Sequence, residues 1–131
     1  MNKLQGQLVD IQKEGDLSHV YIEVAGNILQ AIVIDNPEEF AYVQAGSAIQ
    51  LWFKETAVVL AKSIAAPISM ENQLRCQITD IQESKMLTKV YLQHSAGPLV
   101  AIITTEAYQV MTLQLQEEVI ALVKANEIML A

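Results

Sequence analysis

The 131-residue chain has little of several things, and each scarcity excludes something. It has one cysteine, Cys76, so no internal disulfide can form. That fits a reducing compartment, with Cys76 as a small core residue rather than a nucleophile. Basic residues number 8 against 15 acidic ones, for a net charge of −7. The one arginine is Arg75. Nucleic-acid backbones are held by clustered Lys and Arg, so this balance argues against such a partner. The aromatics are few: Tyr21, Phe40, Tyr42, Trp52, Phe53, Tyr91 and Tyr108. They do not supply the stacking platform of a single-strand binder. The apolar run from Thr56 to Ala61 is far too short to cross a bilayer, so no membrane insertion is expected. The opening, with Lys3, Gln5, Gly6, Gln7 and Asp10, has no signal-peptide core, and a cytoplasmic location is expected.

Catalytic signatures are also missing. There is no phosphate-binding P-loop, no dinucleotide-binding glycine motif and no His-Glu-x-x-His metal motif. His19 and His94 have no ligand spacing, and the carboxylates are scattered. Glu38-Glu39 and Glu117-Glu118 read as solvated faces. No constellation suggests an enzyme, and no metal site is expected.

What the chain does have is a repeat. Stepping 70 positions pairs Asn2 with Asn72, Leu4 with Leu74, and Gln7 with Gln77. It pairs Asp10-Ile11-Gln12 with Asp80-Ile81-Gln82, and Val20-Tyr21 with Val90-Tyr91. Leu29, Ala31 and Ile32 meet Leu99, Ala101 and Ile102, and Lys54 meets Lys124. One folding unit is therefore used twice: residues 1–62, a linker over 63–71, and residues 72–131. Units so small bury a limited share of their surface. With 52% hydrophobic residues, they are expected to lean on each other or on other copies.

Alternation and turn residues predict strands at Leu4–Ile11, Ser18–Val24, Ile28–Ile34, Ala48–Phe53 and Ala57–Ala61. Asp35-Asn36-Pro37-Glu38-Glu39 predicts a short helix start after the third strand. The second unit gives the same order: Leu74–Asp80, Thr88–His94, Leu99–Thr104, a helix near Glu106–Leu113, Val119–Val123 and Ile128–Ala131. Five strands with a helix between the third and fourth predict an all-β protein of two tandem OB-like barrels. The fold by itself decides no function.

The lysines Lys54 and Lys124 each follow an apolar strand and precede a bend containing Thr56 or Asn126. One reading is a strand-end lysine with a packed stem and its ammonium in water. The other is an oxyanion site, with the ammonium supplying charge and hydroxyls or N–H groups supplying directed donors.

Together these segments resemble the Mop, or TOBE, domains that bind molybdate and tungstate. Asn2-Lys3-Leu4-Gln5-Gly6 and Asn72-Gln73-Leu74-Arg75-Cys76 look like that family's opening. Ala101-Ile102-Ile103-Thr104-Thr105-Glu106-Ala107 looks like its A-x-I-T-x-x-A/S segment. Lys54-Glu55-Thr56 and Lys124-Ala125-Asn126 look like its lysine turn. The resemblance implies tandem OB-like units, assembly into dimers or trimers, and molybdate or tungstate as the bound oxyanion. It implies a non-catalytic protein for storage or homeostasis. The alternative is an anion-free regulatory or oligomerisation module, such as the effector part of a molybdate-responsive regulator or transporter.

Carried over position by position, the resemblance assigns anion contacts to Ser69, Thr104, Ala107 and Lys124 in the second unit. In the first it assigns them to Lys54 and Thr56. Glu71 stands where the family has Arg, Ile34 where it has Thr, and Pro37 where it has Ser or Ala. The second unit is therefore expected to contribute most of the site.

The charge balance yields a first test. A fluorescent single-stranded oligonucleotide titrated with the protein at low salt should show no saturable, salt-sensitive binding. Tight binding lost on adding salt would overturn the exclusion of nucleic acid.

Overall fold

Alternating burial builds the molecule. In the computed structural model, which describes residues 1–34 and 44–131, each long strand buries every second side chain. The elements are β1 Asn2–Glu14, β2 Leu17–Val24, β3 Asn27–Ile34, β4 Ala48–Phe53 and β5 Val59–Ala61. They continue with β6 Asn72–Glu83, β7 Leu87–His94, β8 Gly97–Thr104, α1 Thr105–Met111, β9 Glu118–Val123 and β10 Met129–Leu130. Three-residue 3-10 turns, Glu55–Ala57 and Ala125–Glu127, precede β5 and β10. The expected helix start at residues 35–39, with Pro37, lies outside the described residues.

The first and sixth strands are longer than alternation alone predicts, and a bulge in each is the reason. Pairing of β1 with β2 slips between Leu8 and Asp10, and pairing of β6 with β7 slips between Ile78 and Asp80. One extra residue lets the buried set change from Leu4 and Leu8 to Ile11 without ending the strand. At each slip an aspartate stabilises the local backbone. Asp10 Oδ1 accepts the Ile11 N–H and Asp80 Oδ1 accepts the Ile81 N–H, both at 2.9 Å. The extra residues are Val9 and Thr79, and the repeated Asp-Ile-Gln triplet directly follows each bulge.

The two sheets run β10-β4-β1-β2-β3 and β5-β9-β6-β7-β8. The architecture is the expected pair of OB-like units, but the last strands are exchanged. β5 pairs with β9 of the second repeat, and β10 pairs with β4 of the first. The turns explain the exchange. A hairpin folds a strand back on its neighbour with a tight two-residue reversal. Here Lys54 and Val58 flank a 3-10 turn in extended conformation, so the chain is carried off its own sheet. Lys124 and Ile128 do the same in the second repeat. The 3-10 turn of each repeat packs on the third strand of the other: Glu55–Ala57 on β8, and Ala125–Glu127 on β3.

A second exchange joins the repeats more tightly. The Asn72 side chain is fully buried, and its amide pairs twice with the backbone of Gln30 on the outer edge of β3. Nδ2 donates to the Gln30 carbonyl at 2.8 Å, and Oδ1 accepts the Gln30 N–H at 2.7 Å. Asn2 does the same to Val100 on β8, with both bonds at 2.8 Å. Each opening asparagine thus stands in for one residue of a neighbouring strand.

The core follows the two sheets. Leu4, Val20, Ile22, Leu51 and Phe53 fill one unit, and Leu74, Ile78, Val90, Leu92 and Val119 fill the other. One asymmetry is steric. A Cβ on Gly6 would lie 2.7 Å from the Glu23 carbonyl oxygen and 2.8 Å from Val24 Cγ2. Cys76 holds the equivalent place in the second repeat, where Leu92 and His94 replace Ile22 and Val24.

The asparagine pairs should carry measurable stability. Asn72→Leu leaves the Gln30 N–H and C=O without partners at a buried edge. It should lower the unfolding free energy by about 2 to 4 kcal/mol. Asn2→Leu should do the same at Val100. Exposed Gln5→Ala, changed as a control, should stay within about 0.5 kcal/mol of the parent. Urea unfolding is the measurement, and a neutral Asn72→Leu would refute the role given to the staple.

Candidate functional site

Because the last strands cross over, the two lysine turns lie side by side. Lys54, Thr56 and Ala57 from the first repeat line a shallow cleft of about 400 Å³ with Met70, Lys124 and Glu127. Each lysine sits at the extended residue that opens its 3-10 turn, which directs it away from the sheet. Both are exposed, and among the described residues neither makes an ion pair. Two ammonium groups with no carboxylate partner and one hydroxyl, from Thr56, therefore share one opening. That donor set suits a small anion, since an ammonium brings three N–H donors and no acceptor.

Two acidic groups modify it. Glu127 lines the cleft directly. Glu71 lies over the same turn, and its Oε2 accepts the Ala125 N–H at 3.4 Å. Glu55 is engaged elsewhere. Its carboxylate meets the Met1 amino group at 3.3 Å and Lys89 Nζ at 3.9 Å.

The other residues assigned from the sequence lie apart from this cleft. Thr104 caps α1: its Oγ1 accepts the Ala107 N–H at 3.1 Å. That bond uses the same Ala107 N–H that the resemblance offers to an anion. Thr105, buried beside it, donates to the Ser84 carbonyl at 2.7 Å and pairs with Thr88 Oγ1 at 2.8 Å. The helix start is thereby fixed to the β6–β7 turn. Ser69 is exposed in the linker, next to Met70 of the cleft wall. Ile34 ends β3 with 84% of its surface exposed. The structure thus gathers Lys54, Thr56 and Lys124, and leaves Ser69, Thr104 and Ala107 outside the lining of this cleft. Reading each repeat by itself missed Glu127 and Met70. The signal that could have found them was the strand exchange, which residue order does not carry.

Other chemistry-bearing groups are otherwise employed. Burial pushes the Cys76 thiol up to about 11, so it stays protonated and poorly nucleophilic. His94 is buried, and its Nδ1 accepts the Ala96 N–H at 3.0 Å. Burial holds its pKa below the usual histidine value, which keeps it neutral. Lys62, beside a smaller pocket with Arg75 and Glu118, meets Glu117 at 3.2 Å and the Thr112 carbonyl at the end of α1. Among the described residues, no group of three or more His, Cys, Asp or Glu is arranged to hold a metal ion.

Comparison with known proteins bears on the fold. The TOBE domain family model matches residues 68–130. That match spans the second repeat, and the 70-residue repeat relates the first repeat to the same unit. Over its whole length the fold is that of a tandem protein of this kind. It is similar to the cytoplasmic molybdate-binding protein ModG, solved with molybdate bound, with a TM-score of 0.92 at 21% identity. That match covers 99% of this chain and 94% of the other. A molybdate-binding protein from Sporomusa ovata is 30% identical over 46% of this chain and 90% of its own, with a TM-score of 0.45. No curated protein matches the sequence.

The cap assigns Thr104 a structural task that can be measured. Thr104→Ala should cost about 1 kcal/mol of stability, as loss of a helix N-cap does, and Thr104→Ser should restore most of it. Denaturant unfolding reads both. An unchanged midpoint in Thr104→Ala would mean that the hydroxyl does not hold the helix.

Proposed function

We propose that this protein binds a small tetrahedral oxyanion, molybdate or tungstate, in the cleft between the two lysine turns. In this reading it serves as a cytoplasmic store or buffer and performs no chemistry. The observation that carries the proposal is the convergence of Lys54 and Lys124, without ion-pair partners among the described residues, on one opening with Thr56. A dianion leaving water needs several charged or directed donors at once. Neither repeat supplies them alone, and the exchange of strands brings the two halves of the set together. The molybdate bound by the structurally similar ModG supports the choice of ligand. Molybdate and tungstate are tetrahedral dianions of nearly equal size, so this donor set takes either.

A second reading rests on Glu71. Its carboxylate accepts the N–H of the lysine turn, where an anion would otherwise compete for that donor. A chain whose own carboxylate fills this role serves as an anion-free regulatory or oligomerisation module.

We also propose that the protein works as a homo-oligomer, a dimer or trimer. Ile34, Val110 and Met86 leave 84%, 77% and 76% of their surfaces exposed. Symmetric assembly covers such apolar groups. Light scattering that showed a monomer at micromolar concentration would end this part of the proposal.

Melting curves with molybdate, tungstate and sulfate separate the two readings. A ligand at 100 times its dissociation constant adds about 2.7 kcal/mol of stability. Lys54→Ala and Lys124→Ala should each remove most of the molybdate shift, because both ammoniums face one cleft. A shift retained in either variant would show that the anion lies elsewhere, and no shift in the parent would favour the anion-free module.

A further inference from the structure

The two lysine turns are equivalent by the repeat, yet they are not alike. Lys54 matches Lys124, but Ala57 matches Glu127, and all four residues line the cleft. One turn presents a methyl group and the other a carboxylate to the same space. Among the described residues Glu127 makes no ion pair. β3, on which its turn packs, carries no charged residue. The charged groups around it are Lys54 across the cleft, Lys124 on its own turn, and Glu71 at the Ala125 N–H. Glu55, on the facing turn, is engaged by Met1 and Lys89.

A fully deprotonated tetrahedral anion such as molybdate offers acceptor oxygens and no donor. An ionised carboxylate is also an acceptor only. The two repel when they share a site. A single proton between them reverses this, because an O–H bond pointing at an anionic oxygen is a strong, short hydrogen bond.

We propose that Glu127 is a specificity-determining residue that couples anion capture to a proton: the cleft takes an oxyanion together with one proton, shared between the Glu127 carboxyl and an anion oxygen. This rests on the oxyanion-binding reading above. The proton comes from solvent, and no other bond is made or broken. Uptake of one proton with the anion makes molybdate affinity rise by up to about tenfold for each pH unit lowered. Hydrogen phosphate arrives with its own proton, so its affinity changes less with pH. The cleft therefore favours a proton-bearing oxyanion at alkaline pH and gains molybdate as the medium acidifies.

The test is calorimetric titration of the full chain with sodium molybdate, and separately with sodium phosphate, between pH 6 and pH 8. Repeating it in two buffers of different ionisation enthalpy counts the protons taken up. The parent should take up about one proton per molybdate, and fewer per phosphate. Glu127→Gln keeps the shape, supplies an N–H donor and removes the carboxyl group. It should bind molybdate with no proton uptake and at least tenfold more tightly at pH 8. Glu127→Ala, which copies the first repeat, should also lose the pH dependence. Molybdate binding by the parent without proton uptake would overturn the inference and leave the oxyanion reading intact. Uptake unchanged in Glu127→Gln and abolished in Glu71→Gln would overturn the assignment to Glu127. Absence of binding by parent and both Glu127 variants at every pH would sink the inference and the oxyanion reading together.

Discussion

The paired hydrogen bonds of Asn2 and Asn72 are the constraint on which the rest of the structure depends. A strand at the edge of a sheet exposes N–H and C=O groups that must be satisfied. β3 and β8 are such edges, and each is met at its middle by an asparagine from the opposite repeat. An asparagine amide has one donor and one acceptor side by side, as a backbone residue does, and no other side chain of that length has both. The exchanged strands β5 and β10 complete the interlock from the other end of each repeat. Neither repeat owns a finished sheet, so the two halves form one folding unit, and their buried apolar residues make one cluster.

The interlock has a direct functional consequence. A lysine turn lies between the last own-sheet strand of each repeat and the strand it lends away. Because both repeats lend their strands to each other, both turns lie where the chain crosses over. Lys54 and Lys124 are far apart in sequence and share one cleft for that reason. The cleft is thus a product of the exchange, and it exists only when both repeats are folded.

Much of the fold was legible in the residues. Period-two alternation is a local property, and it located the strands within a few positions. The Asp-Ile-Gln triplets were visible as a repeat, but the bulges just before them, at Val9 and Thr79, were not, because a bulge is a mismatch with a partner strand. The strand exchange was hidden for a similar reason. Alternation says which face of a strand is buried, and it is silent on which sheet the strand joins. The strand exchange also bears on the candidate site. Taking each repeat by itself grouped Ser69, Thr104, Ala107 and Lys124. In the structure Thr104 and Ala107 satisfy each other at the start of α1. Lys124 lines one cleft with Lys54, from the other repeat.

Differences between the repeats separate into two kinds, and the separation is itself informative. In the core they compensate. Gly6 has no room for a Cβ against Ile22, Val24 and the Glu23 carbonyl. Its counterpart Cys76 is accompanied by Leu92 and His94, neither branched at Cβ, in the matching places. The volume lost at one position is regained at another, as close packing demands. At the cleft the differences do not compensate. Thr56 matches Asn126 and Ala57 matches Glu127. Glu55 matches Ala125, but its carboxylate is held by Met1 and Lys89 and does not line the cleft, so it does not balance Glu127 there. Packing is indifferent to these exposed positions, so it does not dictate their identity. A pseudo-twofold cleft with matched lysines and unmatched neighbours has one acidic wall and one neutral wall. In the proposed reading, an anion held between the lysines would meet both walls at once, and the acidic wall would set the proton requirement for its entry.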